Sequence, residues 1–593
     1  MAALSSSSAT PPASGVEIPT HGLTWRRAAL AVACALGLAV AWRAAELQPA
    51  VLISRDTWAG LAKLVAGLFP PDFSPAFLRT VLRATVQTMA SAAAATLLSI
   101  VVGLPLGLLA SATLWRRGIL VDATRGSLAF ALMAAASRAA RAVLGFVRAV
   151  PDILWAILFV TMVGLGPLAG ALALAVAYSG VIGRVYADVF DTVDPQPLEA
   201  LQSTGASRIQ VFLRGMWPQA RPSLTAYSLY SFECCVRTAS VLGLVGAGGI
   251  GYEIGLSMRL FEYHQVLTLI LAFVVLLALT DAVSQLSRRW LHGRVASAGD
   301  LPQLLPPVLE GSEGEAAAPA PAGGRRWPLT VALVAAGWAS FRVAGFTPAA
   351  LSGADVWGHA ARFVAAMVPP NFTPAFVRSL GTPLIQTLGI AVWGTLIGVG
   401  LGVLLALPAT ADLAFLPPDT PGRRGRGERE LRWLVFWTAR LALNLLRAIP
   451  ELVWVLVCIV AIGIGPFAGT IAIGLHTAGV LGKLYAETLE EVPRRPVEAL
   501  YALGARPLQV LLRGLWPQAR PMLRNYTFLR WEANLRVSTI LGLVGGGGLG
   551  QAIYNNIQLA FYPRVGTLIL IVYALVMASD WVGDRLGGRV VGV

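Results

Sequence analysis

The chain has 593 residues, of which 56% are hydrophobic and only 13% charged. So few charges cannot cover that much apolar surface in water, which excludes a soluble globular protein and points to the bilayer. The formal charge of +15 comes almost entirely from arginines between apolar stretches. They lack the basic stripe and interleaved aromatics of a nucleic-acid surface and read as topology signals that keep short loops in the cytoplasm.

In chain order, residues 1–25 are rich in Ala, Ser and Pro and read as a disordered cytoplasmic N-terminus. Arg26-Arg27 lead straight into an apolar stretch of full length, so no cleavable leader is expected. A first unit, 26–290, carries six spans of roughly 20 residues, at 28–45, 84–112, 142–163, 167–187, 222–245 and 264–287. Basic stretches at Leu114–Arg141, Asp188–Arg221 and Arg288-Arg289 are expected inside the cell, and mixed-charge stretches such as Glu46–Arg83 outside. Residues 291–326 are rich in Pro, Gly and Ala and read as a flexible cytoplasmic linker. A second unit, 327–593, repeats the pattern at 329–345, 383–411, 441–462, 466–486, 521–544 and 563–586. An even number of spans makes the units parallel. The expected fold class is therefore an all-α membrane protein of two parallel six-span repeats, about twelve helices, in a bacterial cytoplasmic (inner) membrane with both termini in the cytoplasm.

The two units share wording as well as pattern. Glu199-Ala200-Leu201 returns 299 positions later as Glu498-Ala499-Leu500, and Gly205 returns as Gly504. Trp217-Pro218-Gln219-Ala220-Arg221-Pro222 returns as Trp516-Pro517-Gln518-Ala519-Arg520-Pro521. In copy one, Asp194 offers an N-cap and Pro195 a favoured first helical residue, while Gly205 can end the helix in a left-handed conformation. A second helical stretch, Arg208 to Arg214, is expected to run to a break at Trp217-Pro218. The alternative is an ordinary connection, yet these motifs match while Leu120–Arg138 and Asp419–Thr438 have diverged.

Glu-Ala-Leu…Gly followed by an apolar–Pro pair resembles the coupling loop of bacterial ABC importer permeases, with Leu201 and Leu500 where that pattern has a second alanine. Arg148-Ala149-Val150-Pro151-Asp152, Arg447-Ala448-Ile449-Pro450-Glu451, Gly164-Leu165-Gly166-Pro167, Gly482-Lys483-Leu484-Tyr485 and the run Leu242–Gly251 resemble the phosphonate permeases more specifically, over about 80–295 and 380–590. The resemblance implies a type I, methionine-permease-like core fused in tandem. It also implies import of a phosphonate, or of phosphite, phosphate or a phosphate ester, by alternating access. Two copies of a separate ATP-binding subunit would grip Glu199, Ala200 and Gly205 and their copies Glu498, Ala499 and Gly504. ATP and Mg would be bound by that partner, and this chain would hold no cofactor. One extracytoplasmic binding protein would deliver the anion; membrane lipid is the remaining partner, and no nucleic acid is expected.

Charges inside apolar spans are the candidate pathway and gate residues. Glu233 and Arg237, with their copies Glu532 and Arg536, are four apart on one helix face and read either as a lining element or as an ion pair locking helices together. Arg148 and Arg447 stand just before prolines that should interrupt a helix beside a cavity, though snorkelling to the surface is the competing reading. Arg184 and Lys483 stand behind them as candidates. His476 has Ala177 at its matching position, so a symmetric role for it is not expected.

Gly246, Gly248 and Gly249, repeated as Gly545, Gly547 and Gly548, sit in runs that satisfy G-x-G-x-x-G. A membrane helix rather than a strand precedes them, which argues for a hinge and against a nucleotide site. The four cysteines lie in apolar segments without metal-ligand spacing. No phosphate-binding loop or catalytic set is present, so no metal site or enzymatic activity is expected. A gradient-driven anion carrier with two parallel six-span halves is the rival architecture. The outward Pro-Pro-Asp-Phe-Ser-Pro and Pro-Pro-Asn-Phe-Thr-Pro segments read as a surface beneath the binding protein or as plain re-entry turns.

Overall fold

The computed structural model describes residues 25–116, 128–292, 327–347, 354–411, 426–542 and 545–586. The N-terminal tail and most of the linker lie outside them. The described residues are helical throughout, with no strand among them. Ten principal helices form in each repeat. In the first they are α1 (Trp25–Ala44), α2 (Arg55–Leu68), α3 (Pro75–Ala110), α4 (Leu128–Ala149), α5 (Asp152–Val163), α6 (Pro167–Asp191), α7 (Pro195–Ser203), α8 (Trp217–Leu242), α9 (Gly249–Arg259) and α10 (Tyr263–His292). The second copies them in order as α11 (Trp327–Val343), α12 (Ala354–Ala366), α13 (Gly381–Ala409), α14 (Arg426–Ala448), α15 (Glu451–Ile462), α16 (Pro466–Glu490), α17 (Arg494–Ala502), α18 (Trp516–Leu541), α19 (Gly548–Gln558) and α20 (Tyr562–Leu586).

Twelve uniform spans were expected, and the helices depart from that in three ways. Seven described helices are long and apolar enough to cross a membrane, or nine when bent pairs count as single spans. The third span of each repeat is two helices meeting at a proline: α4 and α5 at Pro151, α14 and α15 at Pro450, the latter pair bent by 96°. Proline disfavours helical backbone in the residue before it and supplies no N–H, so the axis turns there. The fifth span starts earlier than expected, at Trp217 and Trp516, and α18 carries Arg520, Arg524, Arg530, Glu532 and Arg536, too many charges to face lipid on all sides. Finally, the mixed-charge segment expected outside contains helix α2, which hydropathy alone does not reveal; Ser54 caps it by accepting from the Thr57 N–H.

Packing within each repeat rests on small residues. A Cβ on Gly107 would lie 2.7 Å from the Gly183 carbonyl, and one on Gly402 3.1 Å from the Gly482 nitrogen, so α3 against α6 and α13 against α16 approach at backbone distance. Between repeats the first helices are exchanged. Helix α1 lies on α13, where Trp42 meets Trp393 edge-on with ring centroids 4.8 Å apart and Trp393 Nε1 donates to Leu38 O at 3.2 Å. Helix α11 lies reciprocally on α3, with Ala344 buried against Ala94 and Ala171. Helices α2 and α12 likewise reach across to α15 and α5. One hydrophobic core joins Ile153, Leu174 and Leu242 of the first repeat to Leu452, Ile473 and Leu541 of the second.

Candidate functional site

Helix α7 begins where Asp194 accepts the Gln196 N–H at 3.0 Å and Pro195 takes the first helical position. It ends at Gly205, whose φ of +80° lets its N–H reach Gln202 O (3.0 Å) while Ala206 N–H reaches Leu201 O (3.3 Å). Helix α17 closes alike at Gly504, φ +77°, with Gly504 N–H to Tyr501 O at 2.9 Å and Ala505 N–H to Leu500 O at 3.0 Å. Ser207 N–H then donates to Gln210 Oε1 (2.8 Å), and Arg506 N–H to Gln509 Oε1 (2.9 Å), restarting a helix. The expected break at Trp217-Pro218 does not occur. A π turn, Phe212–Met216 in one copy and Leu511–Leu515 in the other, widens the backbone ahead of the proline, and the helix runs on into α8 or α18.

The two faces of each loop differ. Inward, Leu198 is 1% exposed, and Leu198 and Leu201 close over Gly215, where a Cβ would come within 2.6 Å of Leu198 Cδ2. Leu500 covers Gly514 in the same way. The leucines that depart from the Glu-Ala-Ala pattern therefore fill space that a glycine opposite leaves. Outward, Glu199, Ala200 and Gly205 and their copies Glu498, Ala499 and Gly504 are all exposed, beside exposed Ile209 and Leu213 in one copy and Leu503, Leu508 and Leu512 in the other. Exposed apolar side chains thus cluster around each short helix.

Arg148 and Arg447 lie at the ends of α4 and α14, immediately before the bends. Glycines let the neighbouring helices in: a Cβ on Gly180 would lie 2.8 Å from Arg148 N, and one on Gly479 2.5 Å from Arg447 N. The carbonyls freed by the second bend find side-chain donors, Trp454 Nε1 for Leu446 O (3.2 Å) and a His476 Nδ1 contact for Ile449 O (3.0 Å). Arg184 and Lys483 each form a partly exposed pair one turn along their own helix, with Asp188 (3.3 Å) and Glu487 (3.6 Å), and Lys483 lies within electrostatic range of Arg447. Glu532 and Arg536 form the intrahelical ion pair that their spacing suggests. Across the contact between repeats, Arg237 lies within electrostatic range of Glu451, and Arg536 within range of Asp152.

The glycine runs turn the chain between α8 and α9 and between α18 and α19. Gly246, Gly248 and Gly249 have φ of +99°, +74° and +74°, and Gly545, Gly547 and Gly548 +97°, +78° and +74°. Each turn is moored to the repeat's longest helix, since Ile250 N–H donates to Thr88 Oγ1 (2.9 Å) and Leu549 N–H to Thr387 Oγ1 (2.8 Å). No strand precedes either run, so the G-x-G-x-x-G match lacks its βαβ context.

Sequence reasoning missed two groups. Arg141 bonds Asp191 (2.8 Å) and Ala110 O (2.7 Å), and Arg440 bonds Glu490 (2.6 Å) and Ala409 O (3.1 Å), tying the ends of α3 and α13 to the chain just before α7 and α17. The signal was available, because both charges survive the repeat offset. Arg530 is the other; Ser231 stands at its matching position, so the repeat hides it.

The Pro-Pro segments expected outside are built turns. Asp72 Oδ1 accepts the Ser74 N–H at 2.8 Å, which together with the Ser74 side chain holds its carboxyl below the usual carboxylate range; the Asp72 carbonyl accepts from Thr268 (2.9 Å). Asn371 repeats the arrangement with Thr373 N–H (2.9 Å) and Thr567 (2.8 Å), and Phe73 and Phe372 remain exposed.

Residues 123–297 and 427–592 each match the family model described as binding-protein-dependent transport system inner membrane component. The chain belongs to this family. Among similar proteins, the phosphate-import permease protein PhnE of Mycolicibacterium smegmatis is 32% identical, covering 75% of this chain and 77% of its own. The phosphite transport system permease protein PtxC of Stutzerimonas stutzeri is 37% identical over 36% of this chain and 71% of its own. The putative cryptic phosphonate transport system permease protein PhnE2 of Escherichia coli K12 is 38% identical over 20% of this chain and 97% of its own. Two family matches in tandem make this a fused ABC importer permease, a multi-pass inner-membrane transport subunit whose family works with an ATPase and a binding protein. The gradient-driven carrier is not favoured.

Proposed function

We propose that the permease imports a phosphorus oxyanion (phosphonate, phosphite, phosphate or phosphate ester) by alternating access, driven by ATP hydrolysed on two copies of a separate subunit. The observation that carries the reading is the pair of capped, solvent-exposed loops at α7 and α17. Their inner faces are buried, and their outer faces present Glu199, Ala200 and Gly205 and Glu498, Ala499 and Gly504 beside exposed leucines and isoleucine. Binding shifts a conformational equilibrium only by its differential affinity for the two states, so each loop must fit the ATPase differently before and after ATP is bound.

In this reading both loops and both termini face the cytoplasm, repeats 26–290 and 327–593 form the two walls, and 291–326 tethers them. ATP and Mg belong to the partner, and this chain needs no cofactor. One binding protein rests outside on the Phe73 and Phe372 turns. The glycine turns are the hinges, and Arg148, Arg447, Arg237 and Arg536 give the contact between repeats its positive potential, with Glu233 and Glu532 as counter-charges. Arg184 and Lys483 pair with Asp188 and Glu487 on their own helices, Lys483 within range of Arg447. The names of similar permeases support the oxyanion, and the excess of arginine at the contact supports an anion in general. The test is uptake of labelled phosphite and phosphate into vesicles holding permease, ATPase and binding protein. Uptake that requires ATP and survives collapse of the proton gradient is expected; uptake that follows the gradient without ATP refutes the reading.

A further inference from the structure

The contact between the repeats is chemically lopsided. In the second repeat, Glu451 Oε1 lies 3.5 Å from Arg530 Nη2 and 3.4 Å from His476 Nε2, and the other His476 ring nitrogen is fixed on Ile449 O. Arg530 Nε also reaches Thr477 (3.4 Å), which bonds Asn534 (3.1 Å). The matching first-repeat positions hold Asp152, Ser231, Ala177, Tyr178 and Cys235, with no second arginine or histidine. Into this cluster the first repeat sends Arg237, within electrostatic range of Glu451, Arg530 and Arg447. Asp281 and Glu487 also act on Arg447.

Two guanidinium groups, those of Arg530 and Arg237, thus act on the Glu451 carboxylate, and Arg447 lies within electrostatic range of Arg237. Arg237 Nε, Arg447 Nε and Arg530 Nη2 are buried and have no hydrogen-bond acceptor among the described residues. Glu451 holds Arg530 in a long ion pair of 3.5 Å. Buried N–H groups left without acceptors cost free energy, so this arrangement is stable where an acceptor arrives for part of a working cycle. Guanidinium forks match the paired oxygens of a tetrahedral oxyanion.

We propose that Arg237, Arg447 and Arg530 form an oxyanion site at the contact between the repeats, and that Glu451 is a built-in carboxylate which a phosphorus oxyanion displaces. The proposal rests on the reading of the cargo as an anion and adds a site to which the second repeat contributes two of three cations. In the conformation seen here the groups are buried, and the site opens as the repeats part.

The test is equilibrium binding of labelled inorganic phosphate to the permease–ATPase complex in lipid nanodiscs, without binding protein and in competition with phosphite, sulfate and chloride. Arg530→Gln and Arg237→Gln are each expected to weaken phosphate binding by about tenfold or more, and Glu451→Gln to tighten it by about tenfold, as one lost charge-assisted bond and one lost competitor imply. Arg138→Gln, on an exposed helix face, should bind like the unaltered protein. If Arg530→Gln fails to assemble, Glu451→Gln and Arg237→Gln still decide the matter. Absence of saturable phosphate binding, arginine variants that bind normally, or a Glu451→Gln variant weakened like them would overturn the site. ATP-driven uptake that survives the arginine variants would overturn the site while leaving the transport reading intact; absent uptake by the unaltered complex would count against the transport reading itself.

Discussion

Gly205 and Gly504 offer an unusually clean perturbation. A Cβ placed on either meets nothing within 4 Å, so substitution crowds no neighbour in the permease and acts through the backbone alone. At φ of +80° and +77° an alanine carries the left-handed penalty of roughly 1–2 kcal/mol, a factor of about 5–30 in the closed-to-open ratio of each loop. Asparagine, which tolerates this region, should cost much less. Proline cannot adopt the angle and also removes the N–H that bonds Gln202 O or Tyr501 O. The doubly substituted chains should therefore rank Gly, Asn, Ala, Pro in loop order and in coupling. Amide exchange at Ala206 and Ala505, measured on permease without ATPase, reads the first; substrate-stimulated ATP hydrolysis and uptake read the second. Exchange should rise about 5–30-fold in the alanine chain and uptake should vanish in the proline chain. Normal uptake by the proline chain, or asparagine as damaging as proline, would refute the reasoning.

Further expectations follow from other contacts. Gly251→Ala would put a Cβ 1.6 Å from the Ser240 carbonyl, and Gly550→Ala one 1.9 Å from that of Thr539, so each should lower the melting temperature sharply and reduce yield of the folded chain in a detergent thermal-shift assay. Arg141→Gln breaks a partly exposed pair that also organises Ser111 and Thr113 around Asp191; a loss of about 1–2 kcal/mol, partly restored in Arg141→Lys, is expected from chemical denaturation. Because α1 lies on α13 and α11 on α3, cleavage at a protease site inserted in the linker should leave the repeats co-purifying. Trp42→Ala with Trp393→Ala should weaken that association, and no change on size-exclusion chromatography would count against the exchange.

Much of this arrangement was legible in the chain because duplication marks what both copies need. The matched Glu199 and Glu498, Gly205 and Gly504, and Pro151 and Pro450 disclosed the loops and bends before any coordinates. What duplication could not expose were residues unique to one copy: Arg530 faces Ser231 across the offset and His476 faces Ala177. Hydropathy misjudged the spans where protein rather than lipid surrounds a helix, as at charged α18. The exchange of α1 and α11 leaves no local pattern at all, since Trp42 and Trp393 are far apart in sequence and meet only through tertiary packing.

The account stands on the loops being where a motor engages the permease. Cysteines placed at Ala200 and Ala499, both exposed, can be cross-linked to co-expressed ATPase subunits in native membranes. Bonds to one subunit from each position, with yields that change on ATP binding, are predicted. Absence of any bond at both positions, or labelling of these cysteines by an impermeant reagent from outside intact cells, would contradict it.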